Sequence, residues 1–173
     1  LRVVPAGEDP DTTPLLLSQQ IALEPGQSVI AVLAGSHDAL QLIVAREDLA
    51  PLVGKVARLN VIHAVPRGAA FNLQEINRTV IGQVDFGMIG GPVELSEGGH
   101  PLAFVSGPEI LTSLDLTLTA RYAYTLLLYQ GADGSYKTWH IRSRVSDESR
   151  VRLVHASPDL PALMEYKQGA VDA

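Results

Sequence analysis

The sequence predicts an all-β protein built from antiparallel β-sandwich units. Three observations carry that expectation: strand-like segments follow one another along the chain, no ten-residue window holds a helical stripe, and the segments repeat. In chain order the candidate strands are "SVIAVLA" (28–34), "LQLIVA" (40–45), "LNVIHA" (59–64), "LDLTLTA" (114–120), "YAYTLLLY" (122–129), "YKTWHIR" (136–142) and "VRLVHA" (151–156). Each is short and rich in β-branched or aromatic residues, which suit a pleated, half-buried surface.

Turn chemistry delimits each segment. "EPGQ" precedes the first strand and "AGSHD" joins it to the second; "VPRG" closes the third; "IGGP", "SEGG" and "GADGS" punctuate the middle of the chain, and "SPDLP" follows the last strand. In such clusters Gly supplies positive φ, Pro fixes φ near −65°, and Asp or Ser bonds its own backbone. Strands spaced about 8 to 12 residues apart with turns between them indicate a sandwich or barrel. Polar residues on one face of "LTLT" and "YKTWHI" fit antiparallel sheets with one solvated side.

Composition bounds the function classes. With 173 residues, 46% of them apolar and 18% charged, the chain can bury one or two ordinary cores. The net charge of −6 is spread without long runs of one sign, which argues against nucleic-acid partners and against a polybasic membrane patch. No stretch approaches the roughly 18 apolar residues of a membrane-spanning helix, so no membrane insertion is expected. Zero cysteines exclude disulfides, zinc-thiolate sites and thiol nucleophiles. The first residue is Leu1 instead of Met, which reads as a processed or excised piece.

The repetition is measurable. "RLNVIHAVP" (58–66) and "RVRLVHASP" (150–158) align Arg58, His63, Ala64 and Pro66 with Arg150, His155, Ala156 and Pro158 at an offset of 92 residues. A second echo joins "LEPGQSVIAVLAG" (23–35) to "LTARYAYTLLLYQG" (118–131), with Val29 matching Tyr124 at an offset of 95. An offset of this size is one sandwich-sized unit. Residues 56–148 then form a complete unit, residues 1–55 the closing half of a preceding one, and residues 149–173 the opening strands of a further one. Within 56–148 the alternating positions Leu59, Val61, Phe71, Phe86, Leu116, Leu118, Tyr124, Leu126 and Leu128 are the expected core. Half a sandwich exposes an apolar face and unpaired strand edges. Residues 149–166 are therefore expected to pair with the 1–55 segment, in the same chain or, slightly favoured, in a neighbouring copy, the latter growing a filament.

The segments "SRVRLVHASPDLPAL" (149–163), "VDFG" (84–87), "LSEGGHPLAFV" (95–105) and "LTARYAYTLLLYQG" together resemble the family called domain of unknown function 4397, whose units open with a strand ending in His-Ala-Ser-Pro-Asp-x-Pro. The resemblance implies immunoglobulin-like β-sandwich repeats, one complete and one split, of the kind arrayed in secreted or surface-attached proteins of bacteria and archaea. Its motif is intact as His155, Ala156, Ser157, Pro158, Asp159 and Pro161; the middle copy departs from it at Val65, Arg67 and Gly68. The family brings no established activity.

Each chemically suggestive residue has a structural reading beside it. His63 and His155 end their strands before a Pro turn, where an imidazole commonly bonds a loop carbonyl. Asp159 between two prolines suits an Asx-type turn better than a calcium site, which needs 6 to 8 oxygens. "GADGSYKTW" (131–139) carries the Asp-Gly of a hairpin turn, and Asn77 in "NRT" is a glycosylation acceptor sequence. There is no G-x-S-x-G, H-E-x-x-H, P-loop or G-x-G-x-x-G, and "GMIGG" (87–91) has neither the spacing nor the following helix. The expectation is thus a non-enzymatic structural or adhesive module of the cell exterior with no cofactor and no metal, whose partners are its own copies or neighbouring repeats. The alternative is a ligand- or glycan-binding surface domain, with Tyr136 and Trp139 as candidate stacking residues and Tyr122 and Tyr124 beside them; apolar Val29 at the place of Tyr124 favours core for that position.

Overall fold

A computed structural model describes residues 1–5, 7–9, 11–24, 27–36, 39–144 and 150–156. Among these there is no helix, hence none long and apolar enough to cross a membrane. The strands are β1 (Arg2–Val3), β2 (Leu17–Ser18), β3 (Ser28–Ser36), β4 (Ala39–Glu47), β5 (Val56–His63), β6 (Phe71–Glu75), β7 (Arg78–Val84), β8 (Ile89–Ser96), β9 (Gly98–Ser106), β10 (Glu109–Leu118), β11 (Tyr122–Gln130), β12 (Tyr136–Arg144) and β13 (Arg150–His155).

They build a β-sandwich with a third sheet stacked on it. One sheet has the order β10-β9-β6-β7 and the second β12-β11-β5-β8. Side chains of both fill a common core: Leu59, Val61, Phe71, Leu73, Leu102, Phe104, Leu116, Leu118, Tyr124, Leu126 and Leu128 are all buried there. A third sheet, β13-β3-β4, covers the other face of the second, and Ile62 and Leu127 meet Ile30, Val32, Ile43 and Val154 across that interface. The far face of the third sheet packs Ala31, Leu33 and Leu42 against Val3 of the β1–β2 hairpin, with Leu16, Leu17 and Ile21 alongside. The central strands β5 and β11 of the second sheet are thus buried on both faces, and this explains why "LNVI" and "TLLL" do not alternate between core and solvent positions.

Two features depart from the sequence expectation. The sheets are antiparallel except at two contacts, β5 with β11 and β13 with β3, which are parallel. Alternation along a single strand does not encode the direction of its neighbour, so the segments could not announce this. Phe86, expected in the central core, instead sits in the turn beyond β7 and packs on the second core, edge-on to His63 at 6.1 Å between ring centroids. The immunoglobulin constant arrangement puts strands A, B, E and D in one sheet and C, F and G in the other. Counting β5 as the first strand of the sandwich, the first, fourth, seventh and eighth share one sheet here, and the second, third, fifth and sixth share the other.

Tight turns set the hairpin registers. Ile76 and Asn77 both have positive φ (44° and 64°) between β6 and β7, the signature of a two-residue hairpin loop, and this leaves Asn77 exposed at a hairpin tip. In the β11–β12 turn Asp133 accepts from the Ser135 hydroxyl (2.7 Å) and amide (3.1 Å) with Lys137 nearby, which pushes its carboxyl down to about 2.

Candidate functional site

The repeated strand and its neighbours form the candidate site. β5 lies parallel to β11 with Arg58 opposite Ala123 and Leu59 opposite Tyr124; β13 lies parallel to β3 with Arg150 opposite Ser28 and Val151 opposite Val29. The offsets of 92 and 95 residues read from the sequence map one pairing onto the other residue for residue. The correspondence extends past the strand ends, where the Ala64 amide donates to the Leu128 carbonyl at 2.9 Å and the Ala156 amide to the Leu33 carbonyl at 2.8 Å. Both alanines are buried, so a larger side chain would collide with the second core.

His63 is fully buried at the end of β5 and engages the turn with both ring nitrogens. Nε2 donates to the Ala69 carbonyl at 3.0 Å and Nδ1 accepts from the Val65 amide at 3.2 Å, which defines a neutral imidazole with its proton on Nε2. Burial pushes its pKa below the ordinary 6.5, outweighing the Ala69 carbonyl and Asp85. Phe71 lies 5.0 Å away between centroids. Gly68 is required here, because a Cβ would stand 2.9 Å from His63 Cε1. Pro66 is half-buried in this turn, and Arg67 follows it with φ of 58°. For His155 the backbone position is described, pairing with Leu33; Ser157, Pro158, Asp159 and Pro161 lie outside the described residues.

Arg58 is nearly buried and pins the segment that leads into the sandwich. Its guanidinium donates to the Asp48 carbonyl (2.8 Å) and the Ala50 carbonyl (3.2 Å), and it pairs with the carboxylates of Asp48 (2.9 Å) and Glu94 (3.3 Å). Arg150 holds the matching backbone position on β13.

Two polar clusters have no signal in the sequence. The Glu47 carboxylate, 2% exposed, accepts from Ser28 Oγ (2.6 Å), Arg152 Nη1 (2.7 Å) and Ser143 Oγ, joining β3, β4 and β13 to β12 of the neighbouring sheet. His100 sits between the Glu75 carboxylate (2.5 Å) and the Ser96 carbonyl (2.8 Å). The hydrogen bond from His100, with Arg78 adding to it, holds the Glu75 carboxyl below its ordinary value against the opposing effect of burial. Glu47 and Arg152 stand 105 residues apart, and nothing in either stretch names the other.

The candidate stacking residues do not converge. Tyr136 packs against the central core, whereas Trp139, 50% exposed, occupies a position of opposite parity on β12 and faces the other way. Tyr122 carries Arg142 over its ring at 4.8 Å, and Arg144 lies 5.9 Å away. Tyr124 is buried, its hydroxyl accepting from the Thr119 amide at 3.0 Å. Among the described residues no group of three or more His, Asp or Glu side chains could hold a metal ion. What the site offers is backbone: a strand, its parallel partner and its edges.

A sequence profile described as Domain of unknown function (DUF4397) matches residues 57–166, and the chain belongs to that family. No curated protein matches the chain.

Proposed function

We propose that this chain is a non-enzymatic structural or adhesive module of the cell exterior, which assembles in series by β-strand complementation. The observation that carries the reading is the reproduced register: β13 lies along β3 as β5 lies along β11, although β13 is joined to β3 only through the whole intervening sandwich. A strand that carries its own register is suited to exchange, because the same contacts form whether the partner belongs to the same chain or to the next copy. Exchange between copies is heterologous, does not close on itself, and builds a filament. The exterior location rests on the resemblance to arrayed surface proteins.

Light scattering over a wide concentration range tests the reading. Assemblies that grow with concentration, and that disappear when residues 149–173 are deleted, are the expected result; a monomer at every concentration ends the filament reading and leaves closure within the chain. The ligand-binding alternative rests on one feature, the half-exposed Trp139. A glycan-array hit abolished by Trp139→Ala would favour it.

A further inference from the structure

In the complete sandwich both edges of the repeated strand are used: β11 takes one edge of β5 and β8 takes the other. In the third sheet β3 takes one edge of β13, and no described strand takes the other. Leu59 is fully buried, while Val151, its equivalent, is 53% exposed.

We propose that the outer edge of β13 is an acceptor for an extended strand of the β8 type, which runs antiparallel along residues 150–154. This deepens the reading of the chain as a strand-complemented module and rests on it. The occupant is identified by the template inside the molecule. On β5, Glu94 stands opposite Arg58, Val93 opposite Leu59, Gly90 opposite Val61 and Ile89 opposite Ile62. Moved by 92 residues, the same strand sets Glu94 opposite Arg150, Val93 opposite Val151, Gly90 opposite Leu153 and Ile89 opposite Val154. The charge match is kept, since Arg58 and Glu94 form an ion pair at 3.3 Å and the equivalent of Arg58 is again an arginine. The apolar match is kept too, with Val93 meeting the exposed Val151.

β8 also carries a feature that fits it to a receiving backbone. Gly91 has φ of 101°, and a Cβ there would stand 2.8 Å from the Leu59 carbonyl oxygen, an atom of the receiving strand itself. Only glycine permits that approach. An occupant lacking glycine at this place is rejected by main-chain contact, whatever its remaining sequence.

The test adds a synthetic peptide of residues 88–97 to the isotope-labelled full chain and follows backbone amides by NMR. Saturable binding with shifts concentrated on β13 is expected. A Glu94→Lys peptide should bind about tenfold more weakly, through loss of the pair with arginine and addition of like-charge repulsion, and a Gly91→Val peptide should not bind. On the protein side, Val151→Lys alters an exposed position and should weaken the wild-type peptide while leaving the β3 amides protected. No saturable binding, or shifts that map to β5 through displacement of β8, overturns the proposal. So do intermolecular contacts between β13 amides of differently labelled copies in the absence of peptide, since the occupant is then a second β13. Peptide binding by a chain that stays monomeric at every concentration would sink the assembly reading and leave the acceptor edge standing; assembly without peptide binding would do the reverse.

Discussion

Leu59 and Val151 occupy the same place in two copies of one strand, each beside a parallel partner in the same register, yet one is fully buried and the other half exposed. Leu59 lies under the β10-β9-β6-β7 sheet and beside β8; over the third sheet the described cover is the small β1–β2 hairpin and the segment around it. Register and burial therefore have separate causes. Register follows from the strand and its parallel partner, whose backbone bonds and second-core contacts are the same in both places, whereas burial follows from whatever is laid over them.

The largest test of this separation is a pair of truncations in the central core. Leu59→Ala should cost about 2 to 5 kcal/mol in urea unfolding, because it opens a cavity under a complete sheet. Leu126→Ala, at an equally buried position on β11, should fall in the same range. A loss well under 1 kcal/mol at either position would mean that the strand faces the other way.

Next comes the polar node that ties β13 to its neighbours. Arg152→Ala leaves the buried Glu47 carboxylate with two serine hydroxyls and no cation, at a cost of about 1 to 3 kcal/mol. Hydrogen exchange should show the loosening in β13 and β3 while β5 and β11 stay protected; loosening of equal size in both pairs would break the comparison.

His63 supplies the third test. Its Asn variant loses ring contacts and one of two bonds to the Val65–Ala69 turn, about 1 to 2 kcal/mol, without change in metal content. An imidazole whose folded pKa lies below its unfolded value takes up its proton more readily in the unfolded chain. Its contribution is complete above about pH 6.5 and is lost as the pH falls from there toward the folded pKa. Glu75, also lowered, adds stability above about pH 4.5 that is lost as the pH falls through its folded value. Melting temperature should drop in two stages on acidification, and His63→Asn should flatten the upper one.

The smallest effect is expected at Val151. Its replacement by Ala should change stability by about 0.5 kcal/mol or less, against the several lost at Leu59. Comparable losses at the two positions would show that Val151 is covered in solution.

The repeated strand was legible because its pattern is local: Arg58 to Pro66 and Arg150 to Pro158 carry the same residue types at the same spacing. Some strands between β5 and β11 were harder to see. β8 holds Gly90, Gly91 and Pro92, and β9 opens on Gly98 and Gly99, so the residues that usually mark turns lie inside strands there. Phe86 misled because alternation predicts a face only within a strand, and it lies beyond one. Glu47, Arg152, Ser143 and Ser28 were invisible as a group, since only the stacking of the third sheet on the second brings them together. Tyr136 and Trp139 looked like a pair until strand parity separated them.

The parallel contact between β3 and β13 also sets an order of events during synthesis. Ser28 and Arg150 are 122 residues apart in the chain (28 to 150), so β3 and β4 leave the ribosome long before their partner exists. At a translation rate of about 5 to 20 residues per second, the β3–β4 hairpin, complete at Glu47, waits roughly 5 to 21 s for Arg150 with its open edge unfilled. In that interval the central sandwich, whose own parallel contact spans about half that distance, has time to close and to lay its Ile62 and Leu127 face over the hairpin.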